Sequence, residues 1–145
     1  MAAKRYYYSD TITDFLQKED MVVIGKLALA YSHDINDETK MSWLEELRVM
    51  RSVLKNYKNR GSVYFEYNIP RMGRRADVIV LIDDVVFVIE FKTRKSKFTH
   101  EAVTQVWDYA LDLKNFQEGS RNRIMIPVLV APSEKDKNCQ IELSH

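Results

Sequence analysis

Asp77, Glu90 and Lys92 are the residues whose types and spacing carry chemistry. Asp83-Asp84 reads as the tip of a hairpin between two Val/Ile-rich runs, 76–82 and 85–91, and in that register Asp77 stands opposite Glu90. Directly opposed side chains in such a pair lie roughly 5 Å apart at Cβ. Lys92, two residues beyond Glu90, projects to the same face. Like charges facing each other across a buried hairpin are destabilising unless something neutralises them. A divalent cation does so directly: Mg²⁺, with Mn²⁺ as a substitute, takes hard oxygen ligands, here carboxylates, substrate phosphate and water. A neighbouring ammonium orients an attacking water or steadies negative charge developing on phosphorus. The constellation implies metal-assisted hydrolysis of a phosphodiester. The plain alternative is a pair of acids at fraying strand ends with Lys92 as their counter-charge.

The elements that must position these residues follow from periodicity. Residues 10–17 and 20–31 carry apolar side chains at loose helical spacing. Asn36 or Asp37 can cap a longer helix through about residue 57. Trp43, Leu44, Leu47, Met50 and Leu54 fall on one face of it, and Gly61 is a candidate C-cap. From Ser62 the period changes to that of strands: 63–69 closed by Pro70, a basic loop 71–75, then 76–82 and 85–91. A helix over 99–116 and a fourth strand over 124–131 complete the pattern. The expected fold is α/β, with a mixed four-stranded sheet flanked by helices over 37–132. A helical extension over 1–36 precedes this core, and 133–145 reads as a polar, frayed tail. The whole is effectively one domain.

Composition sets the outer bounds. With 145 residues, 46% of them hydrophobic and 11% aromatic, the chain buries a real core and is not disordered. Its apolar runs are too short to cross a bilayer, and no charged-then-apolar leader is expected. The single cysteine, Cys139, makes no internal disulfide and no Cys-based metal site, so the expected location is the cytoplasm. Net charge is +1, but it is a cancellation. Residues 9–46 hold three bases against nine acids, and residues 47–97 hold twelve bases against five acids. A segregated basic block favours a polyanionic partner such as nucleic acid, with an ordinary solvated surface as the plain alternative. Arg71, Arg74, Arg75, Arg94, Lys95 and Lys97 flank the acidic pair in sequence and suit phosphate contacts. The Tyr6–Tyr8 run fits packing onto the sheet better than stacking on bases.

Ala76-Asp77, thirteen residues, then Glu90-Phe91-Lys92 resembles the signature of the PD-(D/E)XK nuclease superfamily, with Ala76 where the name-giving proline stands. The resemblance implies a restriction-endonuclease-like core in which Asp77 and Glu90 bind the metal and Lys92 assists the water. Gln105-Val106-Trp107-Asp108-Tyr109 resembles the Gln-x-x-x-Tyr element of the RecB-like branch, which implies that Gln105 and Tyr109 reach toward substrate. One helical turn apart, they share a face expected to be distinct from an apolar stripe of Val103, Trp107 and Ala110. Family members often place a glutamate on the first core helix near the metal. Glu46, at the flank of the apolar face, is the better placed of Glu45 and Glu46. Glu66 is an alternative third acid, because a charge inside a buried strand needs a partner. The wider pattern, from Tyr6-Tyr7-Tyr8 through Phe65-Glu66-Tyr67-Asn68-Ile69-Pro70-Arg71 to Asp77, resembles the N-terminal nuclease-like region of bacterial and phage Schlafen-like helicase proteins. That implies a C-terminal ATPase/helicase domain as partner, although no Gly-x-x-x-x-Gly-Lys-Ser/Thr stands in this sequence.

Two functional readings follow, a Mg²⁺-dependent deoxyribonuclease and a catalytically inactive nucleic-acid-binding module of the same fold. A third, a defence-type domain that mainly contacts another protein, is weaker.

Overall fold

Local side-chain hydrogen bonds start the helical third of the chain. In the computed structural model, which describes residues 4–31, 34–92, 100–116, 123–132 and 139–143, Thr11 caps helix α1 (Ile12–Gln17) by accepting from the Asp14 N–H at 3.1 Å. Asn36 caps helix α3 (Asp37–Leu54) by accepting from the Thr39 N–H at 2.7 Å. Helix α2 (Asp20–Ala30) lies between them. Arg51 of α3 locks the junction before it, donating to the carbonyls of Phe15 and Lys18 and to the Asp20 carboxylate.

The remaining elements are strands β1 (Tyr8–Thr11), β2 (Gly61–Ile69), β3 (Arg74–Ile82), β4 (Val85–Phe91), β5 (Ile124–Pro132) and β6 (Cys139–Leu143), with helix α4 (His100–Phe116) between β4 and β5. They form one sheet in the order β1-β2-β3-β4-β5-β6. Every neighbouring pair is antiparallel except β4 and β5, which run parallel. A parallel pair needs a crossover, and α4 supplies it. Helices α1 to α3 bury one face of the sheet, with Phe15, Leu27, Leu47 and Met50 packed against Val63, Phe65, Val78 and Val80. Helix α4 covers the other face, with Val106, Tyr109, Ala110 and Leu113 against Ala76, Ile79 and Val88.

The sheet has six strands among the described residues, not four. Strand β1 lies within the segment expected to be a purely helical extension, and β6 within the segment expected to fray. Both are edge strands of four and five residues, too short for a clear period of two, and β1 carries Asp10, a poor strand former. That carboxylate is satisfied locally by the Tyr8 hydroxyl, which donates at 2.8 Å, and by the Lys18 ammonium. Gly61 is not a helix cap: α3 ends at Lys55, and Gly61 opens β2. A Cβ there would lie 1.7 Å from the Leu81 carbonyl oxygen, so close strand approach is what requires glycine. Arg74 and Arg75 belong to β3 and not to the preceding loop, whose turn uses Arg71 at φ 69° and Gly73 at φ 64°.

Candidate metal centre

The β3–β4 hairpin turns at Asp83-Asp84 in the expected register, with Ile82 paired to Val85 and Val78 to Ile89. The next rung is Asp77 and Glu90, and there the backbone ladder is replaced by side chains. The Asp77 N–H donates to Glu90 Oε1 at 2.9 Å, and the Phe91 N–H donates to Asp77 Oδ2 at 2.8 Å. Each carboxylate therefore clasps the opposite strand's backbone, so the two do not simply face one another.

The same rung is irregular on its other side. Phe65 pairs with Val78 and Tyr67 with Ala76, but Glu66 and Asp77 between them do not pair. Glu66 holds a left-handed backbone at φ 57°, which costs a side-chain-bearing residue about 1–2 kcal/mol. Across this rung the alternation of faces slips by one residue. Val63 and Phe65 pack beneath α1–α3, whereas Tyr67 and Ile69 pack with α4; in β3, Val78 and Val80 take the first face and Ala76 the second. The slip turns both Glu66 and Asp77 toward α3. There the Trp43 indole hydrogen-bonds Glu66.

Glu46 meets them from α3. It sits within the buried stripe of that helix, beside Trp43, Leu47 and Met50, and is only 6% exposed. Carboxylate oxygens of Glu46, Glu66 and Asp77 all lie within 4.8 Å of one another. Glu46 Oε1 is buried with no hydrogen-bond partner. A buried acceptor left in that state costs about 1–3 kcal/mol, more when charged, and the site retains it.

Electrostatics describe the same place. Burial, reinforced by the charges of Asp77, Glu66 and Glu90, pushes the Glu46 carboxyl far above the usual carboxylate range. Burial and then the Asp77 charge raise Glu66 to about 7, against the opposing pull of the Trp43 hydrogen bond. Glu90 is pushed up to about 9 by burial and by Asp77. Asp77 rises to about 6 through burial, held back by the Phe91 N–H and by Lys92. Lys92 is half-buried one residue past β4, anchored by its N–H to the Val130 carbonyl at 2.8 Å. Two buried and two half-buried acids, with the Lys92 ammonium and the Arg75 guanidinium as the nearby cations, are undercompensated, and hard oxygen donors around an orphaned acceptor suit a divalent cation.

Asp77, Glu90, Lys92, Glu46 and Glu66 are therefore brought together. Glu66 joins Glu46 and Asp77 in the close triad, while Glu90 Oε1 is engaged by backbone. Gln105 and Tyr109 are not placed as expected. Gln105 Nε2 donates to the Tyr109 hydroxyl at 2.6 Å, and Tyr109, 1% exposed, lies inside the core beneath α4. The buried stripe of α4 is Ala102, Val106, Tyr109, Ala110 and Leu113, and Val103 and Trp107 are only partly covered. The tyrosine ring buries as well as leucine because a neighbour, Gln105, satisfies its hydroxyl. Arg71, Arg74 and Arg75 are exposed at the turn that joins β2 to β3, and the Arg75 guanidinium lies 4.6 Å from the Tyr7 ring centre. Arg94, Lys95 and Lys97 lie outside the described residues. The role of Trp43 in holding Glu66 had no sequence signal beyond its position one turn before Glu46.

The sequence matches no known family model and no curated protein. Among the described residues no helix is long and apolar enough to cross a membrane.

Proposed function

We propose that the protein is a divalent-metal-dependent nuclease that hydrolyses phosphodiester bonds in DNA, on a restriction-endonuclease-like core. The observation that carries this reading is the buried, unpartnered Glu46 oxygen in a triad with Glu66 and Asp77. Those three residues would hold Mg²⁺ or Mn²⁺, with Glu90 beside them. When bound, the cation supplies Lewis-acid polarisation of a phosphoryl oxygen. The chain's own groups do the rest. Lys92 Nζ orients water or meets negative charge developing on phosphorus. Glu90, clasped to the Asp77 N–H, fixes the backbone that carries Asp77 and holds a proton near neutrality when no cation is present. Arg71, Arg74 and Arg75 bind phosphate without reading sequence.

A non-cleaving nucleic-acid-binding module is the second reading, favoured by one observation: Gln105 is paired with a Tyr109 that is buried in the core. Calorimetry with Mn²⁺ and a cleavage assay separate the two. The nuclease reading expects saturable metal binding and metal-dependent cleavage, with Asp77→Ala losing at least ~10²-fold of activity while remaining folded. Salt-sensitive DNA binding without metal binding or cleavage leaves only the binding module.

A further inference from the structure

The acidic triad occupies one face of the β2–β3 rungs, and the other face of the same strands carries a second feature that the nuclease reading does not use. Tyr6, Tyr64 and Tyr67 form a chain of rings there, Tyr6 to Tyr64 at 5.4 Å and 65°, Tyr64 to Tyr67 at 5.8 Å and 82°. All three are half-buried, and Tyr64 and Tyr67 rest on the core beneath α4. Helix α4 packs mainly on β5 and β4, at the far side of the sheet, so the β1–β2 end of this face is the less covered one among the described residues.

Cations border the rings. The Asn68 N–H donates to the Arg5 carbonyl at 2.6 Å, which sets Arg5 beside the residue after Tyr67, and the Arg5 charge acts on the Tyr67 hydroxyl. Arg74 pairs with Ile69, two residues beyond Tyr67, and alternation from Ala76 puts it on the tyrosine face. Both arginines are exposed. Tyr67 is paired with Ala76, the immediate neighbour of Asp77, so the ring cluster and the acidic triad are one rung apart, with the Arg71-bearing turn beside them.

Half-exposed tyrosine rings between guanidinium groups match a polyanion with unpaired planar bases. A duplex keeps its bases stacked on each other and offers no face to these rings, whereas a single strand offers one per nucleotide. We propose that this tyrosine face binds single-stranded nucleic acid, with bases stacking on Tyr6 and Tyr67 and phosphates held by Arg5 and Arg74. Strands with an unpaired stretch are then the substrate class of the neighbouring site. That last step rests on the nuclease reading; the binding itself does not.

The test is anisotropy titration, in EDTA so that no cleavage intervenes, of a labelled oligothymidine of about 12 nucleotides against an abasic oligomer of equal length. The parent protein should prefer the base-bearing strand by about 5-fold or more, the lower end of base–aromatic stacking losses. Tyr6→Leu with Tyr67→Leu should reduce that strand to the abasic affinity and leave abasic binding unchanged. Tyr6→Phe with Tyr67→Phe, which keeps the rings and the packing, should retain the preference. Equal affinity of the parent for both strands, or a preference that survives the leucine pair, overturns the proposal. Neither outcome depends on metal binding or cleavage, so failure here is distinct from failure of the nuclease reading.

Discussion

Glu46 is the residue on which the site turns, because its Oε1 is buried with no hydrogen-bond partner. Without a cation, the acids around it resolve their repulsion by holding protons. Folding thus raises their affinity for protons: Asp77 from 3.8 to about 6, Glu66 from 4.5 to about 7, and Glu90 from 4.5 to about 9. A carboxyl whose folded pKa is raised stabilises fully below its unfolded pKa, and that stability is lost as pH climbs through the folded value. The metal-free protein should therefore lose stability progressively from about pH 5 to pH 9, the reverse of ordinary acid denaturation. Urea unfolding in EDTA across that range measures it as a falling midpoint. Mn²⁺ should flatten the profile by stabilising the alkaline end, where the ligands are ionised. Glu46→Met, which removes the orphaned acceptor, should raise the metal-free midpoint at pH 8 and abolish the Mn²⁺ effect. A metal-free midpoint that rises with pH over this window would contradict the assignment of these shifts to burial.

At the scale of elements, the site depends on how closely β2 and β3 run and on the single rung where they slip. Gly61 and Gly25 test the first point in opposite directions. Alanine at 61 would drive its Cβ into the Leu81 carbonyl, a backbone atom that cannot swing aside, and should cost about 3 kcal/mol, the upper end of overpacking losses. Alanine at 25, within α2 and with nothing within 4 Å of its Cβ, should stabilise by about 0.5–1 kcal/mol through helix propensity. Chemical denaturation of the two variants side by side checks both, and similar effects of one sign would contradict the strand contact. The hairpin was legible in the sequence because two Val/Ile runs and an Asp-Asp tip admit one register, and the structure keeps it. The αβββαβ order of the core was legible for the same reason, each run being long enough to show its period. The slip at Glu66 was not: a left-handed residue inside a strand leaves no mark on the alternation of types, and the Trp43 hydrogen bond that meets Glu66 there joins residues far apart in sequence. Edge strands β1 and β6 are too short to show a period, and Tyr109 pairs a polar hydroxyl with a ring that buries like an apolar one.

The whole molecule separates its charge along the chain, and the fold turns that separation into a surface. Glu46, Glu66 and Asp77 meet between α3 and the sheet, while Arg5, Arg71, Arg74 and Arg75 are exposed around the turn end of β2 and β3. A net charge of +1 therefore says little about the field that a nucleic acid meets there. Each phosphate neutralised by a fixed cation releases counterions, so the logarithm of the binding constant falls with the logarithm of salt by about 0.7 per contact for a single strand. If these four arginines each hold one phosphate, the slope for oligothymidine should be about −3 between roughly 50 and 200 mM salt. Arg74→Ala should make it shallower by about 0.7 and weaken binding to every sequence alike, as a phosphate contact does. Anisotropy in EDTA at several salt concentrations gives both numbers from one set of titrations. A slope near zero, or one unmoved by Arg74→Ala, would mean that the exposed arginines do not form the phosphate path and that affinity comes from elsewhere on the chain. The stacking preference for base-bearing over abasic strands should stay constant across the same salt series, because it exchanges no phosphate contact. Charge and aromatic contributions are thereby measured apart.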